Sequence, residues 1–168
     1  MAPILETRDE AWPDEAACAA AAARLAAALD EAQAARPAAR GSAFVQLHGT
    51  LGAGKTTFAR HLLHALGVEG TVRSPTYTLL EPYQAGAGHG GQPISHFDFY
   101  RFDDPQEWED AGFREVFANP GLKLVEWPEK AAGLLPEPDL CIAIDPQSSD
   151  ARSVRFDARS ARGRELLA

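Results

Sequence analysis

The sequence predicts an α/β domain built around a phosphate-binding loop, and three observations predict it. Gly49 to Thr56 spells G-x-x-x-x-G-K-T. The apolar run Ala43 to Leu47 precedes this motif and Phe58, Leu62 and Leu66 recur at helical spacing behind it, so strand, loop and helix come in the order such a loop requires. A second apolar run, Leu122 to Glu126, ends in a carboxylate, in the manner of the Walker B strand that faces a phosphate-binding loop.

The chemistry of the loop follows from its residue types. Glycines let the backbone curl with its N–H groups inward, toward phosphate oxygens, and the start of the following helix adds its partial positive charge. Lys55 reaches the β- and γ-phosphates and the Thr56 hydroxyl ligates Mg²⁺. The expected cofactor contacts are Gly49, Thr50, Leu51, Gly52, Ala53, Gly54, Lys55, Thr56 and Thr57.

Composition bounds the rest. A length of 168 residues, 45% hydrophobic and 24% charged, suits a single domain with a real core, here placed at 1–158 with a flexible tail over 159–168. The net charge of -8 argues against a surface that grips a nucleic-acid backbone unaided, so DNA is not an expected ligand and any RNA role would need a partner. Two cysteines, Cys18 and Cys141, are too few for a disulfide framework or a metal cluster and read as buried thiols of a reducing compartment. The first residues are acidic, unlike a secretory signal, and Arg24 interrupts the Ala16 to Ala23 run far short of the ~20 residues that span a bilayer. These features predict a cytoplasmic protein with no membrane association.

Taken in order, Ile4 to Thr7 reads as a short strand. A helix follows with Cys18, Ala22, Leu25 and Leu29 in one stripe, starting at Pro13 or Asp14 and stopping at Arg36-Pro37. Gly67 sits where the loop's helix would end. Gly70 to Arg73 reads as a brief strand, Ser74-Pro75-Thr76 as a kink that puts Thr76 on a loop, and Tyr77 to Leu80 as a resumed β run. Gln84 to Gln92, with four glycines, reads as the flexible turn of a hairpin whose other arm begins near Ile94. Ile94 to Tyr100 alternates as a strand and brings Asp98 near its end; Asp104-Pro105-Gln106-Glu107 is an N-cap, a Pro at the first position and a capping-box Glu, and the helix it starts breaks around Gly112. After the Asn119-Pro120-Gly121 turn and the Walker B strand, Leu140 to Ile144 and Ser153 to Phe156 are further strands, and the chain from Ser160 is expected to fray.

Glu126 and Asp98 are thus strand-end carboxylates beside the loop. Either can hold the metal or orient water, and the residues alone leave that open; the division favoured gives Thr56 and Glu126 the metal side and Asp98 the water or a metal-bound water. His61 and His64 share a helix face without a third ligand and are read as solvated. His96 reads as a half-buried strand residue whose closeness to Asp98 leaves a supporting role open.

Several segments together resemble the TsaE (YjeE) family, the bacterial ATPase of the tRNA threonylcarbamoyladenosine pathway: G-T-L-G-A-G-K-T-T at 49–57, S-P-T-Y-T-L at 74–79, H-F-D-F-Y-R at 96–101, D-P-Q-E at 104–107 and V-E-W-P-E-K at 125–130. The likeness runs from about residue 14 to residue 155. It implies a three-layer, P-loop NTPase-like domain with a mixed, mostly parallel sheet flanked by helices, Mg-ATP binding, and slow hydrolysis that depends on the partners TsaB and TsaD, with tRNA reached only through that complex. Lys55 matches the family's loop lysine, Thr56 its magnesium threonine, Thr76 the Thr of its switch-like S-P-T loop, Asp98 the Asp of H-F-D, and Glu126 with Trp127 its E-W pair. One departure is Thr50, where the family usually has Asp; it is an "x" of the motif, so phosphate binding survives and a partner contact by that Asp is in question. The Gln84 to Gln92 loop also looks longer and richer in glycine than the family's.

From the residues alone the loop suits a hydrolase or a small metabolite kinase, and a third reading is a nucleotide-gated binding module. A kinase should carry clustered arginines over its acceptor, whereas Arg101 and Arg114 are scattered. Adenine contacts have no fixed motif; the chain near Asp14 and near Arg152 offers candidates.

Overall fold

The computed structural model describes residues 2–35 and 42–168. Seven strands, β1 (Glu6–Trp12), β2 (Ala43–His48), β3 (Leu80–Gln84), β4 (Pro93–Asp98), β5 (Leu122–Glu126), β6 (Leu140–Pro146) and β7 (Arg152–Ala158), form one sheet in the order β1-β7-β6-β2-β5-β4-β3. Strands β6, β2, β5 and β4 are mutually parallel, with β7, β1 and β3 added antiparallel at the sides. This is the mixed, mostly parallel α/β sheet expected. The helices are α1 (Glu15–Ala35), α2 (Lys55–Ala65), α3 (Pro105–Asp110), α4 (Phe113–Ala118) and α5 (Ala161–Leu167).

Side-chain alternation along the central strands builds two cores. Ala43, Val45 and Leu47 of β2, with Ile94, Leu122 and Leu124, pack against α1, α2 and α5. Phe44, Phe97 and Val125 point the other way, onto an aromatic cluster in which Phe97 stacks on Phe117 at 4.9 Å and Trp108 on Phe117 at 5.6 Å. Removing a ring such as Phe97 by an Ala substitution costs about 3–5 kcal/mol at a buried site. Over the antiparallel side only one face is covered: Val154 and Phe156 are buried, while Ala143, Ser153 and Arg155 lie exposed on the opposite face. The third layer therefore stops at β2.

Local signals explain most element ends. Asp14 Oδ1 accepts from the Ala17 N–H at 3.0 Å and caps the alanine-rich α1. The expected stop of that helix at Arg36-Pro37 lies outside the described residues. Asp104 accepts from the Gln106 N–H and starts α3, and Gly112, at φ 69°, makes the break before α4.

Four expectations need correction. The first strand is Glu6–Trp12, not Ile4 to Thr7, because Trp12 belongs to it and stacks on Phe58 at 5.6 Å. Residues 70–73 form no strand: Val72 is buried, but the Arg73 N–H goes to the Tyr83 hydroxyl and not to a neighbouring strand. Residues 76–78 are a turn closed by Leu79 N–H to the Pro75 carbonyl at 2.7 Å, so β3 begins only at Leu80. The tail from Ser160 does not fray. Ser160 caps α5 through the Gly163 N–H, and Gly163, Leu166 and Leu167 are buried there.

The Gln84 to Gln92 turn is pinned, with the Gly86 N–H on the Leu66 carbonyl at 2.9 Å and His89 on Asp30 at 2.7 Å. Among the described residues no helix is long and apolar enough to cross a membrane.

Candidate functional site

Parallel strands β2, β4 and β5 end at one edge of the sheet, where ligands bind in open α/β folds. In register, Leu47 pairs with Glu126 and Asp98 pairs with Glu126, so two carboxylates stand side by side at that edge. Both point toward α2, because Ile94, His96 and Asp98 alternate onto the same face of β4 as Leu122, Leu124 and Glu126 do on β5.

The loop between β2 and α2 is shaped by contacts that only glycine permits. A Cβ at Gly49 would lie 2.6 Å from the Ile144 carbonyl oxygen. Gly54, at φ 110°, is the N-cap of α2 and offers no side chain to its first turn, so the amides at that helix end stay available to an anion. Leu51 stands out at the loop tip, exposed.

Lys55 is the first residue of α2 and only 4% exposed. Its ammonium donates to the carbonyls of Gly49 and Thr50 and sits 4.0 Å from the centre of the Trp127 ring. None of these neighbours is an anion. Burial pushes the lysine pKa down, and Glu126, Glu129 and Asp98 push it back up from farther away. A buried cation held by neutral groups beside an uncapped helix start is a donor set that fits phosphate.

Thr56 donates from Oγ1 to Glu126 Oε1 at 2.8 Å. The other oxygen of Glu126, Oε2, lies 2.7 Å from His96 Nε2. Glu126 is 2% exposed, and His96 is fully buried where the strand pattern suggested a half-buried residue; its imidazole meets Glu126 where Asp98 was expected. Asp98, 4% exposed, accepts from the Tyr100 N–H at 2.9 Å through Oδ1, and its Oδ2 lies 3.2 Å from both the Ser74 and the Thr76 hydroxyls. Those hydroxyls are 2.8 Å apart, so two protons serve three contacts. The S-P-T turn is thereby tied to the β4 carboxylate.

Trp127 follows Glu126 in the left-handed region at φ 56°, a strained position for a side chain of that size, and its ring packs 4.9 Å from that of Tyr100. The sequence marked Trp127 only through family likeness; its contact with Lys55 could not be read from spacing.

A Thr hydroxyl and a carboxylate suit Mg²⁺, which takes few protein ligands and keeps waters and phosphate oxygens. No cage of three or more His, Cys, Asp or Glu exists among the described residues. His61 and His64 have other company, Glu15 at 2.9 Å and the Gly70 carbonyl at 3.2 Å.

Behind the loop, the two stretches considered for a base meet. A cleft of about 180 Å³ is lined by Trp12, Asp14, Thr57, Ser149, Asp150 and Arg152 among others. Arg152 closes its floor, donating from Nε to the Ala53 carbonyl at 2.6 Å and from NH1 to carbonyls of the β6–β7 turn. Cys18 also borders this cleft, its thiol pushed up to about 11 by burial and by Glu15, which makes it unreactive. A larger cleft of about 690 Å³ lies between α1 and the 84–92 turn, away from these groups.

Fold and site together define an α/β domain with a mixed, mostly parallel sheet and a glycine-rich loop leading from β2 into α2. The family model described as threonylcarbamoyl adenosine biosynthesis protein TsaE matches residues 12–154. The chain belongs to the TsaE family. It is 44% identical over 123 residues to the tRNA threonylcarbamoyladenosine biosynthesis protein TsaE of Haemophilus influenzae, covering 73% of this chain and 75% of that one. To the protein of the same name from Bacillus subtilis it is 40% identical over 112 residues, 67% of each chain. The crystal structure of Bacillus subtilis YdiB superposes with a TM-score of 0.72 at 26% identity, covering 96% and 92% of the two chains.

Proposed function

We propose that this chain is the Mg-ATP-binding ATPase subunit of the machinery that makes threonylcarbamoyladenosine next to the tRNA anticodon, hydrolysing ATP when assembled with homologues of TsaB and TsaD. The observation that carries the reading is the Thr56–Glu126 contact beside a buried Lys55 whose ammonium donates to the Gly49 and Thr50 carbonyls. Family membership supports the pathway, and the net charge of -8 supports a protein that meets tRNA only through its complex, in the cytoplasm.

In this reading the loop amides from Gly49 to Thr57 cradle the phosphates and Lys55 leaves its two carbonyls for the β- and γ-oxygens. Thr56 and Glu126 would hold the metal. Mg²⁺, when bound, neutralises charge between the phosphates. Asp98 would accept a hydrogen bond from the attacking water and so orient it, while Thr76 and Ser74 hold Asp98 in place. The base enters the cleft between Asp14 and Arg152.

ATP turnover measured for the chain alone and with TsaB and TsaD homologues tests the proposal. Slow turnover that rises on assembly is expected; turnover absent in both states, or phosphate transfer to a small metabolite, would overturn it.

A further inference from the structure

Glu126 has two oxygens, and each is already occupied. Oε1 takes the Thr56 hydroxyl at 2.8 Å and Oε2 takes His96 Nε2 at 2.7 Å. A buried carboxylate only accepts, so the proton of the second contact belongs to the imidazole, on Nε2. Nδ1 of the same ring is buried with no hydrogen-bond partner among the described residues. A proton there would be a buried donor with nothing to meet, so the ring is best satisfied with Nε2 protonated and Nδ1 bare.

This arrangement is a poor choice for stability alone. The face of β4 that bears His96 also bears Ile94, deep in the apolar core, and a well-packed aliphatic pair in place of a buried polar one is often neutral or stabilising. His96 lies two residues before Asp98, diagonal across the strand pair from Glu126, whose direct partner is Asp98. It approaches Glu126 from inside the sheet, leaving the strand ends free.

We propose that His96 is the positioning residue of Glu126: its Nε2–H fixes Oε2 so that Oε1 stays turned to Thr56. This rests on the reading of Thr56 and Glu126 as the metal side. Without the imidazole donor, the carboxylate is free to rotate about its last bond, and Thr56 loses a fixed neighbour. Losing a partner that orients a metal ligand typically costs about 10–100-fold in metal affinity or activity.

The test compares His96→Gln with His96→Asn. The Gln amide nitrogen reaches about as far as Nε2, whereas the Asn amide stops near the position of Nδ1. For each protein, binding of a fluorescent ATP analogue is titrated without Mg²⁺ and then against Mg²⁺. His96→Asn should raise the half-saturating Mg²⁺ concentration by roughly tenfold or more while leaving metal-free affinity within about twofold, and His96→Gln should recover most of the loss. Asn indistinguishable from wild type, or Gln and Asn impaired alike, would overturn the assignment. Should His96→Asn not fold, the ¹⁵N spectrum of the wild-type imidazole decides: protonated Nε2 with bare Nδ1 is expected, and protonated Nδ1 overturns it. A wild type that binds no nucleotide would sink the site reading itself, before any variant is compared.

Discussion

The two sides of the sheet use charge in opposite ways. At the carboxyl edge of the parallel strands, Lys55, Asp98 and Glu126 are 4%, 4% and 2% exposed and His96 is fully buried. On the antiparallel side, Arg155 meets Asp9 at 2.9 Å with both side chains more than half exposed, and Thr7 donates to Asp157 at 2.7 Å. Exposed pairs of that kind contribute little, while buried charges cost desolvation that their partners only partly offset. The difference teaches which charges to read as chemistry. The antiparallel side could lose the Arg155–Asp9 pair and remain the same protein, whereas in the proposed reading the buried group serves an anionic and a cationic ligand.

The sharpest way to break this contrast is Asp98→Asn. With the amide still able to accept from Ser74 or Thr76, Mg-ATP affinity should hold within a few-fold while partner-stimulated turnover falls by roughly a hundredfold, the size of a lost orienting group. Unchanged turnover would move Asp98 out of the site. A smaller effect is expected of Glu126→Gln, which keeps the shape but removes the charge: the Mg²⁺ concentration for half-maximal turnover should rise by about tenfold. If Asp98→Asn shows that metal dependence and Glu126→Gln does not, the two roles are exchanged.

The smallest effect belongs to the other side. The hydrogen bond from Arg155 holds the Asp9 carboxyl below the usual carboxylate range. A depressed folded-state value means that the pair stabilises above the unfolded-state pKa and that this is lost as pH falls through the folded-state one. With both side chains more than half exposed the contribution is slight, so Asp9→Asn should melt close to wild type at pH 7, and whatever small difference remains there should vanish in acid, where the pair's contribution is lost. A drop of several degrees at neutral pH would show that the exposed pair matters as the buried group does.

Most of the candidate site was legible because its residues announce themselves in linear order: Gly49, Lys55 and Thr56 in one motif and Glu126 at the end of an apolar run. What escaped depends on pairing across the sheet. That His96 meets Glu126 follows from the β4–β5 register, which no spacing within either strand encodes. The failed strand at 70–73 and the late start of β3 share one cause: Tyr83 and Pro75 supply partners that a neighbouring strand would otherwise give. The ending of the chain was misread because its apolar content is only Leu166 and Leu167, too little for a periodic signal, although Ser160 stands as a cap in front of them.

The central claim is that Lys55 is buried for a ligand and not for stability, and melting curves of wild type and Lys55→Met, with and without Mg-ATP, test it most directly. A ligand at a hundred times its dissociation constant adds about 2.7 kcal/mol. For a domain of 168 residues that corresponds to a rise of roughly 5–10 °C. The result predicted is that rise in wild type, no rise in Lys55→Met, and a ligand-free variant that melts at or above the wild-type temperature. A variant that melts far below wild type in buffer, or one that gains the full rise with Mg-ATP, would contradict it.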